Sequence, residues 1–464
     1  MKVVLCTPPS MSKERWPPIG LLYIASYLRA NGYNDVSIVD AFSCNMTEDD
    51  LVNAVEKENP DIVGMNSTAH TFIDAMSATE KIKNAIPNAK IVLGGYQATF
   101  NAEKILRSYK FVDYVIKGEG EKSFLELIKN LSKKKDMKKV KGISYIAKKF
   151  VSNDSDIIKD LDALPFPDRT LVEKNDYKHY WNNIRLTFGK FTTVLTSRGC
   201  PYNCRYCSCS AFTNRLYRER SIDSVIDELE EIYSQGYKTC IVVDDNFTMN
   251  KERVIKICEE MRKRRIDLEL HCEGRVNSAS QHMLRAMKKA GFSTIYFGIE
   301  SGSQKVLDYY RKGTTVEQIR NAVDNAKKVR MNIIGSFILG APVERKEDIM
   351  HTLKFASSLR LHGTQFNILD LSPGTELWSE FERNGKIRKN DWKSNHRIYE
   401  YSNNLSKEYL NQAVNRGYKM FLDSWKSKSA LKELFINAAF NSSARRIITW
   451  NLFRNTRNLI RGVR

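Results

Sequence analysis

The 464-residue chain lacks any uninterrupted apolar run of membrane-spanning length, which excludes an ordinary transmembrane helix. Its opening, MKVVLCTPPS, meets proline too soon for a secretory signal, so the expected compartment is the cytoplasm. No solenoid-type repeat recurs. Histidine is scarce, with seven residues, and of these only His70 falls at a strand end of the N-terminal region. Cysteine is used sparingly outside one loop. The nine residues in an unexported chain read as thiols or metal ligands rather than disulfides. Only Cys6 and Cys44 lie in the first 145 residues.

Acidic residues are also in short supply. Lys and Arg number 74 against 54 Asp and Glu, a net charge of +20, which points to an anionic partner. Residues 401–464 alone carry 12 basic and 3 acidic side chains. The last stretch, SARRIITWNLFRNTRNLIRGVR, sets six arginines among Trp450, Leu452, Phe453, Leu459 and Ile460. Two readings stay open for it: peripheral contact with an anionic inner-membrane face, or apolar packing on the folded body. No nucleic-acid partner is expected, because the basic residues form no single stripe interleaved with aromatics.

What is present is a repeated alternation of short β-branched runs with helix-period segments. KVVLC, VSIVD, DIVGMN, KIVLGG and VDYVIKG read as buried parallel strands of a doubly wound α/β sheet over residues 1–145. Ligands of such sheets bind beyond the carboxyl ends of the strands, here CTPPS, NSTAH, GGYQA and KGEGE. Residues 146–190, with DALPFPDRTL, read as a proline-braced linker. Six further strands, from TTVLTS to TQFNILDLS, fit a partial (βα)6 barrel over residues 191–390. Residues 391–464 read as a basic helical region.

The loop after the first barrel strand is SRGCPYNCRYCSCS. Cys200, Cys204 and Cys207 stand at spacings suited to an iron–sulfur cluster, and no second CxxC follows to complete a zinc site. CxxxCxxC with Tyr206 before its last cysteine resembles the signature of radical S-adenosylmethionine (SAM) enzymes. That resemblance implies a [4Fe-4S] cluster on these three cysteines, with SAM on the open iron and Cys209 structural. It further implies SAM contacts from Tyr206, Asp245, Glu273, Arg275, Glu300 and Ser301, on the segments VVDDNF, CEGRVN and GFSTIYFGIESGSQKVL.

The unit ahead of the barrel resembles the cobalamin-binding subgroup of that family, through TPPS, WPPIGLLYIASYLRANGY, GGYQAT and KGEGE. This implies cobalamin near Pro9, Ser10, Ser67, Thr68, Gly94, Gly95, Gly118 and Glu119. The Asp-x-His-x-x-Gly loop that donates a histidine to cobalt elsewhere is absent, and Gln97 stands where related GG loops often carry histidine. The implied activity is C-methylation of an unactivated carbon in a lipid or natural product, through a 5′-deoxyadenosyl radical and methylcobalamin. A flavodoxin or ferredoxin would supply the electron. Oxidative cyclisation or C–C bond formation without methyl transfer is the alternative within the family. Outside it stands a metal-cluster protein that binds nucleic acid.

Overall fold

A computed structural model describes residues 1–10, 15–181, 184–187, 189–402 and 404–426. The basic tail at 441–464 lies outside the described residues. The chain divides into two compact units. The first comprises Met1–Tyr177 with two later segments, Cys207–Arg220 and Leu371–His396. The second comprises Lys178–Tyr206, Ser221–Asp370 and the chain from Arg397 onward.

The first unit is built on a seven-stranded sheet: β1 (Val3–Thr7), β2 (Val36–Asp40), β3 (Ile62–Asn66), β4 (Lys90–Gly94), β5 (Tyr114–Ile116), β6 (Ile143–Ile146) and β7 (Phe150–Ser152). Their order is β2-β1-β3-β4-β5-β6-β7, and the first five are parallel. All five residues of β1 are buried, as expected for a strand covered on both faces. Leu5, Val92 and Ile116 of the sheet share a core with Leu21, Ala25 and Phe124 from the flanking helices. Helix Glu48–Glu58 starts with a reciprocal capping box between Thr47 and Asp50.

The path leaves β1 for β2 on one side and returns to β3 on the other. This makes the carboxyl ends of β1 and β3 the topological switch point, where such sheets open a ligand crevice. The residues there are Pro9, Ser10, Ser67 and Thr68. Beyond β5 the chain adds an antiparallel hairpin, β6–β7, in place of the extended linker start expected after residue 145. Two short strands with a lysine-bearing turn give no long apolar run to read.

The second unit carries six parallel strands: Phe191–Val194, Thr239–Val242, Glu269–Gly274, Phe292–Glu300, Asn332–Leu339 and Gly363–Ile368. They are hydrogen-bonded in chain order, as the partial-barrel reading requires. From the third strand on, one row of side chains is buried and the alternate row becomes accessible towards the carboxyl end. The buried row packs outward: Phe366 stacks on Phe337 and meets Tyr418 of helix Lys407–Ser424. The accessible row, Glu273, Tyr296, Gly298, Ser336, Ile338, Gln365 and Asn367, therefore lines the concave face. No helix among the described residues is long and apolar enough to cross a membrane.

Candidate active site

The cysteine loop is fastened at the ends of three successive barrel strands. Beyond the second strand, Asp244 is buried and accepts hydrogen bonds from Thr196 N and Thr196 Oγ1, both 2.6 Å, and from Ser197 Oγ at 2.5 Å. Burial pushes its carboxyl up, and these bonds oppose the shift. Its neighbour Asp245 is exposed and accepts from Gly199 N at 2.8 Å. Gly199 has φ 88°, a left-handed turn that glycine makes at no steric cost, and Cys200 follows directly.

Past the third strand, Asn277 Nδ2 donates to the Tyr202 hydroxyl at 3.2 Å. Arg275 lies over the Tyr202 ring, 3.6 Å from its centroid, and directs an N–H to Cys204 Sγ at 3.7 Å. At the fourth strand end the Tyr206 hydroxyl donates to Glu300 Oε1 at 2.9 Å. Lys312 Nζ reaches the same oxygen at 2.6 Å and the Tyr206 hydroxyl at 3.2 Å. Gly298 makes room for this trio, since a Cβ there would sit 2.6 Å from Glu300 Oε1 and 2.9 Å from Lys312 Nζ. Arg205 N donates to the Tyr310 carbonyl at 3.1 Å.

Glu273 is accessible yet surrounded by protein, as a side chain facing a lined hollow must be. Burial, with Asp245 and Glu300 nearby, raises its carboxyl to about 6, and Lys312 pulls the other way. Two residues earlier on the same strand His271 is fully buried, its ring in edge contact with His179. His179 Nε2 and the Tyr296 hydroxyl lie 2.7 Å apart, closing the floor.

Of the six side chains expected at SAM, Tyr206, Asp245, Glu273 and Glu300 gather on this side of the barrel. Two are spent otherwise. Ser301 is wholly buried, paired with Thr352 Oγ1 at 3.0 Å and accepting from Ser303 N, so it shapes a turn. Arg275 is committed to the cysteine loop and to the Lys312 carbonyl. Lys312, Asn277 and Tyr310 escaped the sequence reading because they lie in a loop, a single 3-10 turn and a helix cap, none long enough to show a periodic pattern.

None of the nine cysteines is in a disulfide. Cys204 is buried, Cys200 and Cys207 are half-buried, and Cys209 begins the short helix Cys209–Phe212. Among the described residues no three His, Cys, Asp or Glu side chains converge on one ion position. Each thiolate of a cubane binds a different iron, so a cubane does not require sulfurs meeting at one point. Three cysteines outside any disulfide, on a fastened loop, fit that group.

In the first unit the crevice residues are held by local bonds. Pro9 and Ser10 are half-buried at the end of β1. Ser67 Oγ donates to the Gly94 carbonyl at 3.1 Å, and Thr68 Oγ1 pairs with Thr71 Oγ1 at 3.1 Å. Gly95 has φ 95°, and a Cβ there would lie 2.4 Å from both Asn66 Oδ1 and the Ser67 carbonyl. A Cβ on Gly94 would meet nothing within 4 Å. A flat glycine floor beside open space suits a broad planar ring such as cobalamin's. Gly118 N donates to Thr99 Oγ1 at 3.0 Å. Glu119 is held by Arg218, which grips both its oxygens at 2.8 and 2.9 Å, and by Ile158 N, which donates to one. His70 is exposed, and Gln97 is buried with its amide on the Trp392 carbonyl.

Comparison with known proteins agrees with both halves. The radical SAM superfamily profile matches residues 194–356, and the B12 binding domain profile matches residues 11–128. An uncharacterized methyltransferase of Pyrococcus horikoshii is 34% identical over 451 residues, covering 95% of this chain and 96% of that one. The anaerobic magnesium-protoporphyrin IX monomethyl ester cyclase of Rubrivivax gelatinosus is 32% identical over 352 residues, covering 74% and 62%. The solved cobalamin-dependent SAM radical enzyme OxsB, with aqua-cobalamin and SAM bound, superposes with a TM-score of 0.74 at 19% identity, covering 92% and 67%. The chain belongs to the cobalamin-binding-domain radical SAM family.

Proposed function

We propose that this enzyme transfers a methyl group to an unactivated carbon of a small molecule. The observation that carries the reading is the end-to-end likeness to a protein named as an uncharacterized methyltransferase, in a chain that matches both the B12 binding and the radical SAM profiles. When bound, a [4Fe-4S] cluster, SAM and cobalamin supply one-electron reduction, a hydrogen-abstracting group and a transferable methyl. Cys200, Cys204 and Cys207 are the residues to hold the cluster. Tyr206, Asp245, Glu273 and Glu300 would meet SAM, and Pro9, Ser10, Ser67, Thr68, Gly94, Gly95 and Gly118 would meet cobalamin.

The chain's own contribution is orientation and exclusion of water. Lys312 pins Glu300 and Tyr206 in one geometry, so neither needs to reorganise when a polar ligand arrives. The concave face offers Glu273, Ser336, Gln365 and Asn367, with Asn367 Nδ2 donating to Ser336 Oγ at 3.4 Å. This supports a substrate whose reacting end carries hydrogen-bonding groups, whether or not a lipid tail follows.

The electron would come from a flavodoxin- or ferredoxin-type donor. Ring closure without methyl transfer is the second reading, supported by the likeness to the cyclase. With candidate substrates and SAM carrying a labelled methyl, label in the product is expected. A product formed without label would favour cyclisation. The tail carries a separate proposal of peripheral membrane contact. Pelleting with anionic vesicles should be lost on deleting residues 441–464, and equal pelleting would remove that argument.

A further inference from the structure

Arg275 is oddly placed for a ligand-binding arginine. It follows the third barrel strand, two residues after the accessible Glu273, yet it is only 6% exposed. Its guanidinium packs against the cysteine loop. One face rests on the Tyr202 ring, 3.6 Å away, and Tyr202 is itself fixed by Asn277. One terminal nitrogen donates to the Lys312 carbonyl and the other to Cys204 Sγ at 3.7 Å. The backbone is tied as well, with Arg275 N donating to Thr248 Oγ1 and its carbonyl accepting from Ser278 Oγ. A planar fork held at this many points has no freedom to swing towards a substrate. Cys204, its sulfur partner, is the most buried of the three motif cysteines.

We infer that Arg275 tunes the cluster: its N–H donates to the Cys204 thiolate and raises the reduction potential of the centre that the loop carries. The inference rests on the cluster being held by Cys200, Cys204 and Cys207. Reduction adds one electron, and therefore one negative charge, to the cluster, and no bond is made or broken. A cation donating a hydrogen bond to a ligand sulfur stabilises the reduced form more than the oxidised form. Hydrogen bonds to sulfur and local charge are among the main determinants of such potentials. The electron comes from an external donor of the flavodoxin or ferredoxin class. Arg275 is thus a positioning residue, acting through Cys204 and not through SAM.

The test uses the full chain, reconstituted anaerobically with iron and sulfide and titrated potentiometrically by electron paramagnetic resonance. Arg275→Gln should lower the midpoint by at least a tenfold change in the reduction equilibrium, which is 59 mV for one electron. Arg275→Lys, keeping the charge but not the fork, should fall between. In protein labelled with 15N-arginine, pulsed resonance of the reduced wild type should show a 15N coupling that Arg275→Lys abolishes. A merely structural arginine would alter melting temperature or iron content and leave the potential of the assembled cluster alone. An unchanged potential in fully loaded Arg275→Gln overturns the inference. So does a labelled wild type without 15N coupling, which decides the matter even if the glutamine variant fails to fold. A wild type that takes up no cluster at all sinks the cysteine-loop reading itself.

Discussion

Glu300 occupies a conformation that few side chains other than glycine adopt, with φ 66° at an irregularity in the pairing of the fourth and fifth barrel strands. A non-glycine residue there costs on the order of 1–2 kcal/mol. The strain is tolerated because Lys312 and Tyr206 both bind its carboxylate, and the ion pair is buried, with side chains 8% and 6% exposed. Removing one partner leaves an uncompensated charge. Lys312→Met should therefore destabilise the protein by roughly 3–5 kcal/mol, and Glu300→Gln by less, both measurable by urea unfolding. Equal, small effects would mean the pair is not buried as described. Glu344 gives a pH signature. Its Oε2 accepts from Gly340 N and Ala341 N, while Oε1 and the nearby Tyr310 hydroxyl are buried without hydrogen-bond partners. Burial raises its carboxyl from 4.5 to about 7. The folded state thus holds the proton more tightly, so stability is full below 4.5 and lost as pH rises through about 7. Glu344→Gln does not titrate and should gain on the wild type across that window by roughly 3 kcal/mol. Melting curves that stay parallel from acid to neutral pH would refute this.

At the scale of elements, the strand ends explain why two adjacent glycines differ. Gly95 has a positive φ and a Cβ position blocked by Asn66 and the Ser67 backbone, whereas Gly94 faces open space. Gly95→Ala should cost at least about 2 kcal/mol through strain and clash. Gly94→Ala should leave the melting temperature within a degree or two and still weaken cobalamin binding in a spectroscopic titration. Equal binding by Gly94→Ala and wild type would move the cofactor away from this edge. The parallel strands were legible as short β-branched runs: VVLCT is buried on both faces, and VSIVD keeps the same composition although its middle is only partly buried. The cysteine loop was legible because its spacing is local. Lys312 was not, since its pairing with Glu300 depends on how the loop after the fourth strand folds back. The same holds for Arg218 with Glu119 and Trp392 with Gln97, which are 99 and 295 residues apart in sequence. Spacing within a motif names ligands, and only folding shows which motif side chains are already occupied, as Arg275, Ser301 and Glu119 are.

For the whole molecule, one α/β unit carries glycines at the strand ends of its sheet, and the other carries the strand ends that fasten the cysteine loop. Each unit should be testable apart from the other. Cys200→Ala, Cys204→Ala and Cys207→Ala together should abolish iron uptake and leave cobalamin binding intact. Gly94→Ala should weaken cobalamin binding and leave iron uptake intact. The central claim is that one chain uses SAM in two ways, and both can be read without knowing the substrate. Reconstituted enzyme given reductant, cobalamin and SAM should release 5′-deoxyadenosine, and also S-adenosylhomocysteine in a cobalamin-dependent manner. The triple cysteine variant should lose the first product. Release of 5′-deoxyadenosine with no cobalamin-dependent S-adenosylhomocysteine would contradict the methyltransferase account, and release of neither would contradict the enzyme reading altogether.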